Sequence, residues 1–288
     1  FQFLYGNSIT MFKQVSTIEN DIDSFLLFFK NKNAITESPV AFNAAAYKLY
    51  QSLQLQFISK ETSSLIIIPD GPISFIPFDA LISTPSAGIE PGTYHYIVKE
   101  KELHYGFSVA TLAAQLTQNN TTGHTIIFAP GFLNKERDLA PLKYSQEETE
   151  SIKINSENTF NGNRATLHAF KAAAPSAGLI HVASHAATGS LPKVEFIDSS
   201  LYLNEIYAMQ LKAHLVVISA CESGIGKVDK SEGTLSLARG FYYAGAQNII
   251  TSLWNADDKS TAELFKKFYD AGNTDYAAAL TGVKRKYL

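Results

Sequence analysis

The chain has 288 residues, 45% of them apolar and 18% charged, with a formal net charge of −3. That length predicts one large domain or about two smaller ones with a core that needs no disulfide or metal staple. The charge balance, without any Lys/Arg block, speaks against direct binding of nucleic acid or an anionic membrane, and no apolar run approaches the ~18 residues of a spanning helix.

The first stretch, Phe1 to Val15, alternates apolar and polar residues around Gly6-Asn7, the pattern of a small hairpin. Helical spacing follows over Asp21 to Lys30 and Val40 to Ile58, with Ser38-Pro39 as a start signal between them. Ser64 to Pro69 reads as a buried strand, and Asp70-Gly71-Pro72 as a turn leading into the apolar run Ile73 to Phe78. Two more strand-like runs come at Tyr94 to Val98 and Glu102 to Tyr105, then a short helix from Ser108 to Gln118. The polar segment Gln118 to Gly123 is the expected boundary, dividing the chain into halves 1–122 and 123–288.

From Thr125 the pattern alternates strand and helix. Strands are expected at Ile126 to Ala129, Thr159 to Asn161, Leu179 to His185, Leu215 to Cys221 and Asn248 to Ser252. Helices are expected at Tyr144 to Ile154, Thr166 to Ala174 and Gly233 to Ala244, and a last one opens at Ser260 with Glu263 completing a capping box. Such alternation predicts an α/β fold with a mainly parallel sheet covered by helices on both faces.

Two of these strands end on chemistry. Leu215-Val216-Val217-Ile218-Ser219-Ala220 closes on Cys221, the one cysteine of the chain, and Leu179-Ile180-His181-Val182-Ala183-Ser184 closes on His185. Parallel strands deliver side chains to the crevice at their carboxyl ends, where a thiol and an imidazole make a nucleophile and its base. A lone cysteine closing an apolar strand is by itself more often a packing residue; the paired strand and the glycines Gly189, Gly224 and Gly226 reverse that weighting. His181 lies on the same strand parity as His185 among apolar neighbours and is read as a core or supporting histidine, while His168 and His214 are read as surface residues. Glu222 has two readings, orienting His185 or binding a basic substrate residue, beside that of a solvated turn carboxylate. Asp257 and Asp258 have two readings as well, helix capping and a substrate pocket. Arg239 is expected in a structural ion pair, and Lys227 to Glu232 as a charged, turn-like insertion between the nucleophile strand and the next helix.

No Cys/His cluster has metal-ligand spacing, and Gly224-Ile225-Gly226 lacks the third glycine and the helix-opening context of a phosphate cradle, so no cofactor is expected. A single thiol cannot form an internal disulfide and no basic-then-apolar leader opens the chain, so the expected location is cytoplasmic. The chain starts at Phe1 and stops inside a helical pattern at Tyr287-Leu288, which reads as a fragment of something longer.

Several strings carry a family resemblance. His181-Val182-Ala183-Ser184-His185, Leu215 through Cys221-Glu222-Ser223-Gly224-Ile225-Gly226, and Glu232-Gly233-Thr234-Leu235-Ser236-Leu237-Ala238-Arg239-Gly240-Phe241 resemble the CHAT domain, a caspase-like protease domain often found behind tetratricopeptide repeats in bacteria. So do Ala244-Gly245-Ala246, Thr251-Ser252-Leu253-Trp254 and Asp257-Asp258-Lys259-Ser260-Thr261, and upstream Ile67 to Pro72 and Ile76 to Leu81. Ala-Cys-Glu-Ser-Gly is also similar to the nucleophile strand of legumains, relatives in the wider group of caspases, gingipains and separases.

The resemblance implies a caspase-like α/β/α sandwich whose first half is a degenerate, non-catalytic counterpart of the second. It implies a cysteine endopeptidase in which Cys221 attacks and His185 acts as base and proton donor, on a protein substrate and under the control of attached repeats or an activating partner, in a bacterial signalling or defence system. The backbone N–H groups of Cys221 and of Ala186, in the turn after the histidine, would form the oxyanion hole. The family usually has Gly directly after the histidine; this chain has Ala186-Ala187-Thr188-Gly189, which bears on that second donor. A non-catalytic interaction scaffold and a thiol-dependent acyl transferase or thioesterase are the alternatives.

Overall fold

The computed structural model describes residues 2–5, 8–11, 18–31, 33–116, 123–150, 152, 158–187, 191–222, 233–254, 256–272 and 275–288. They form two compact units, Phe1–Gly106 with Asn273–Leu288, and Phe107–Gly272. Most of the polar segment expected as a boundary, residues 117–122, lies outside the described residues.

In the first unit, β1 (Gln2–Tyr5) and β2 (Ser8–Met11) pair antiparallel with Tyr5 opposite Ser8, as the alternation predicts. Helices α1 (Ile18–Leu26), α2 (Ala34–Glu37) and α3 (Pro39–Ser52) follow. Pro39 opens α3, where its missing N–H removes a donor that would have no partner in the helix. Phe25 and Phe42 are fully buried with ring centroids 6.0 Å apart, and Phe28 meets Phe42 edge-on at 5.4 Å. Asp21, 5% exposed, is held from α3 by the Lys48 ammonium at 2.8 Å and the Ser52 hydroxyl at 2.6 Å. Such pairing is what makes a buried carboxylate tolerable.

Strand β3 (Ser64–Ile67) pairs in parallel with β4 (Glu102–Tyr105). Two expectations for the intervening chain are corrected. The run after Gly71 winds into short 3-10 turns, Gly71–Phe75 and Phe78–Ala80. Tyr94 to Val98 is not a strand: Tyr96 makes an isolated bridge to Ile82, and the chain then coils into α4 (Ile97–Glu100). The buried rings of Tyr94 and Tyr96 pack into the aromatic core, so their apolar spacing served burial rather than a ladder.

The second unit runs α5 (Val109–Leu116), β5 (Thr125–Ala129), α6 (Ser145–Glu150), β6 (Thr159–Asn161), α7 (Leu167–Ala173), β7 (Leu179–Ala187), β8 (Lys193–Glu195), β9 (Ser200–Tyr202), α8 (Leu203–Tyr207), β10 (Leu215–Glu222), α9 (Gly233–Tyr243), β11 (Ile249–Thr251) and α10 (Asp258–Asp270). Its sheet has the order β11-β10-β7-β5-β6 with every pair parallel, and β8 and β9 extend antiparallel from the end of β7. This is the mostly parallel α/β architecture expected from the sequence, consistent with a caspase-like fold.

Strand alternation sorts the residues between the faces. Ile126, Phe128, Ile180, Val182, Val216, Ile218 and Ala220 join Phe170 of α7, Ile206 of α8 and Phe241 of α9 in one core. Rings of Phe128 and Phe160 stack at 4.4 Å, and Phe170 and Phe196 close on Phe128 at 5.4 and 5.8 Å. The opposite face carries His181 and His185 and is covered by α6 and α10, whose Glu148, Phe265 and Tyr269 reach His181. Helix α10 begins two residues before Ser260: Asp257 is its N-cap, accepting from the Ser260 N–H at 3.1 Å, so the expected capping box at Ser260 gives way to an aspartate cap.

The last helix, α11 (Tyr276–Tyr287), belongs to the first unit. Arg285 Nε donates to the Val98 carbonyl at 2.7 Å and Lys284 pairs with Asp79 at 3.1 Å. Among the described residues no helix is long and apolar enough to cross a membrane.

Candidate active site

The two chemistry-bearing strands are neighbours. β7 and β10 pair in parallel over eight residues, from Leu215 opposite Leu179 to Cys221 opposite His185 and Glu222 opposite Ala186. Neighbouring strands lie about 4.8 Å apart, and residues in register on parallel strands share a face. Cys221 and His185 are therefore adjacent positions on neighbouring strands.

The imidazole of His185 is 4% exposed and held in one orientation. Its Nε2 lies 2.6 Å from the carbonyl oxygen of Ala140. A carbonyl only accepts, so this partner assigns the hydrogen to Nε2 and leaves a lone pair on Nδ1 in the neutral ring. Nδ1 is buried and has no hydrogen-bond partner among the described residues. Phe132, fully buried and in the left-handed region at φ 49°, packs its ring 5.3 Å from the imidazole. Neither Phe132 nor the Ala140 carbonyl was legible in the sequence, because any residue supplies a carbonyl and the loop that aims it has no periodic pattern.

Four residues back along β7, His181 is fully buried and in contact with Glu148 of α6, its Nε2 2.9 Å from Glu148 Oε1. Its Nδ1 meets the Tyr269 hydroxyl of α10 at 2.8 Å. His181 is thus the core histidine its apolar neighbours implied, and the partners missed are an acid and a phenol on the covering helices. Between these helices and the sheet lies a niche of about 10 Å³ lined by Leu142, Ser145, Glu148, Ala183, Ser184, Ser219, Asp258 and Thr261.

Asp258 sits at that niche. Its carboxylate accepts the Tyr144 N–H at 3.0 Å, yet burial, followed by the nearby charges of Glu148 and Asp257, raises its pKa above the ordinary aspartate value. Asp257 points elsewhere, into the cap of α10. Glu222 closes β10 opposite Ala186. Ala186 is not in a turn: β7 continues through Ala187 because β8 pairs with it, Val194 opposite Ala186 and Lys193 opposite Ala187. Residues 188–190, 223–232 and 255 lie outside the described residues, and with them Gly189, Gly224, Gly226 and the charged loop from Lys227.

The remaining residues occupy other parts of the unit. The Arg239 guanidinium lies over the Phe107 ring, 5.8 Å from its centroid, a cation–π contact where an ion pair was expected. His168 is exposed. Burial lowers the pKa of His214, which precedes β10 and is only partly exposed, so it is not a simple surface residue.

A search among curated proteins returned no match to the chain. The family model of the CHAT domain matches residues 41–288. That span holds every element from β3 to α11, both strands of the site, and the pair Cys221 and His185: the chain belongs to the CHAT domain family.

Proposed function

We propose that the chain is a cysteine endopeptidase with Cys221 as nucleophile and His185 as general base and acid. The observation that carries the reading is the combination of register and tautomer. Cys221 and His185 are partners across β10 and β7, and the imidazole, anchored through Nε2, keeps its basic nitrogen free of other described groups. Membership of the CHAT family, related to caspase-like proteases, supports hydrolytic chemistry in general terms.

In the reaction, Nδ1 of His185 takes the thiol proton and the Cys221 thiolate attacks the scissile carbonyl carbon. The carbonyl electron pair moves onto oxygen, where backbone N–H groups stabilise it; such donors typically lower the barrier by about 3 kcal/mol each. The Cys221 N–H is one proposed donor and the second comes from the chain at or after Ala186. Collapse of the tetrahedral species breaks the C–N bond, and the imidazolium gives its proton to the departing amine. Water, deprotonated by His185, then attacks the thioester carbon and releases the carboxylic acid and the thiol. The substrate is a protein, and the first unit is read as the family's non-catalytic counterpart, its small parallel pair β3 and β4 in place of the larger sheet.

With one cysteine in the chain, alkylation of Cys221 against pH tests the reading directly. A thiolate population persisting well below the ordinary thiol pKa of about 8.5 is expected in the wild type, and its loss in His185→Ala. Identical free-thiol profiles in both proteins would overturn the dyad.

A further inference from the structure

We infer that Arg137, remote from the cysteine strand, is a positioning residue for His185. The inference rests on the dyad reading above. The loop between β5 and α6 supplies both groups that hold the imidazole, the Phe132 ring and the Ala140 carbonyl. That loop is conformationally expensive: Phe132, Lys135, Arg137 and Asp138 all have positive φ, between 49° and 58°. Non-glycine residues persist in this region only where their surroundings over-determine them.

The side chain of Arg137 supplies the constraint. Its Nη1 donates to Glu195 Oε2 at 2.7 Å and to the carbonyls of Phe196 and Ser199 at 2.8 Å each, and its Nη2 donates to Ser200 Oγ at 2.8 Å. All four acceptors lie at the turn between β8 and β9. Glu195 is itself fixed, 5% exposed, with Lys193 at 2.7 Å on Oε1 and the Ser200 hydroxyl donating to Oε2 at 2.6 Å. Burial alone would raise its pKa, but the hydrogen bonds from Lys193 and Ser200 and the charges of Arg137 and Lys193 outweigh it and hold the carboxyl below its ordinary value.

The same hairpin grips the histidine strand on both sides of His185. The Ser184 hydroxyl donates to the Glu195 carbonyl, and Val194 pairs with Ala186. Arg137 thus fastens the loop that holds the imidazole to the hairpin that holds its backbone, and the relative placement of Ala140 and His185 follows. Nη1 shares its two N–H groups among three acceptors while Nη2 alone reaches Ser200 Oγ; an ammonium has one nitrogen on a flexible stem and cannot occupy both places. Arg137 touches no reacting atom and acts through the loop.

The test is Cys221 alkylation against pH, with thermal unfolding, on wild type, His185→Ala, Arg137→Gln, Arg137→Lys and Thr166→Ala. Thr166 caps α7 on the other face through the Ala169 N–H and serves as a control for stability loss alone. The expected result is at least a tenfold fall in the alkylation rate at pH 6 for both Arg137 variants, without rescue by lysine, while Thr166→Ala keeps the wild-type profile. Should Arg137→Gln fail to fold, Arg137→Lys and Ser200→Ala, which removes the Nη2 partner, carry the same comparison. Arg137 variants that melt earlier but keep the wild-type pH profile would overturn the inference and leave the dyad standing. Identical wild-type and His185→Ala profiles would overturn the dyad reading and this inference with it.

Discussion

Replacing Glu148 by leucine removes a 2% exposed carboxylate that touches the fully buried His181 at 2.9 Å. Leucine offers a branched apolar side chain and no polar group, so the change removes a polar partner: His181 retains the Tyr269 hydroxyl on Nδ1 and loses the carboxyl beside Nε2. Depriving one member of a buried polar contact of its partner costs about 1–3 kcal/mol. For a unit of this size that corresponds to a fall in melting temperature of roughly 2–12 °C. The reasoning is sharpened by restoring balance. Glu148→Leu with His181→Leu removes both polar partners, and since apolar replacement of a whole buried pair is often close to neutral, the double variant should recover most of the loss. What remains is the Tyr269 hydroxyl's lost contact with His181, whose size a third variant adding Tyr269→Phe measures. Urea unfolding of the four proteins measures the series. A single variant costing under about 1 kcal/mol, or a double variant no better than the single, would refute the claim that the pair is electrostatically coupled in the core.

Asp258→Asn should stabilise the protein near neutral pH, because the native carboxyl has a raised pKa and its ionised form is therefore disfavoured by folding. The sign follows from linkage: the wild-type carboxyl costs nothing below the ordinary value of 3.8 and the penalty grows as pH rises through the folded pKa, so the gain should vanish on acidification, as urea titrations at several pH values would record. Asp257→Ala should cost about 1 kcal/mol through the lost cap of α10 and leave kcat/KM for a cleaved peptide unchanged; a large loss of kcat/KM would put Asp257 in the substrate pocket instead. Gly245→Ala should cost more than about 1 kcal/mol, since Gly245 has φ 114° and an added Cβ would collide with the Leu211 carbonyl oxygen; near-wild-type stability would contradict that geometry.

The sheet of the second unit was legible because its strands are buried on both faces and read as short β-branched runs between turn signals. The neighbouring placement of Cys221 and His185 followed from the same pattern, since parallel strands end at one edge. What escaped was whatever a backbone or a lone acid contributes. The Ala140 carbonyl looks like any other residue in a sequence. Glu148 lies in the helix expected from Tyr144 to Ile154, where it looks like its neighbouring glutamates, although its position on α6 brings it to His181. Tyr94 and Tyr96 mimicked strand alternation because two rings two residues apart both enter the core. The assignment of α11 to the first unit depends on Arg285 and Lys284 meeting Val98 and Asp79, partners nearly two hundred residues away, and no local signal announces them.

That last feature bears on the order of events at the ribosome. The first unit is drawn from both Phe1–Gly106 and Asn273–Leu288, whereas the second is drawn from one uninterrupted segment. Nascent chains usually mature from the N-terminus onward, but here the earlier-made unit must wait for α11, and the unit holding the cysteine and histidine can close first. Pulse-labelled chains arrested just before residue 273 should then show a protease-resistant Phe107–Gly272 beside a still-sensitive N-terminal segment.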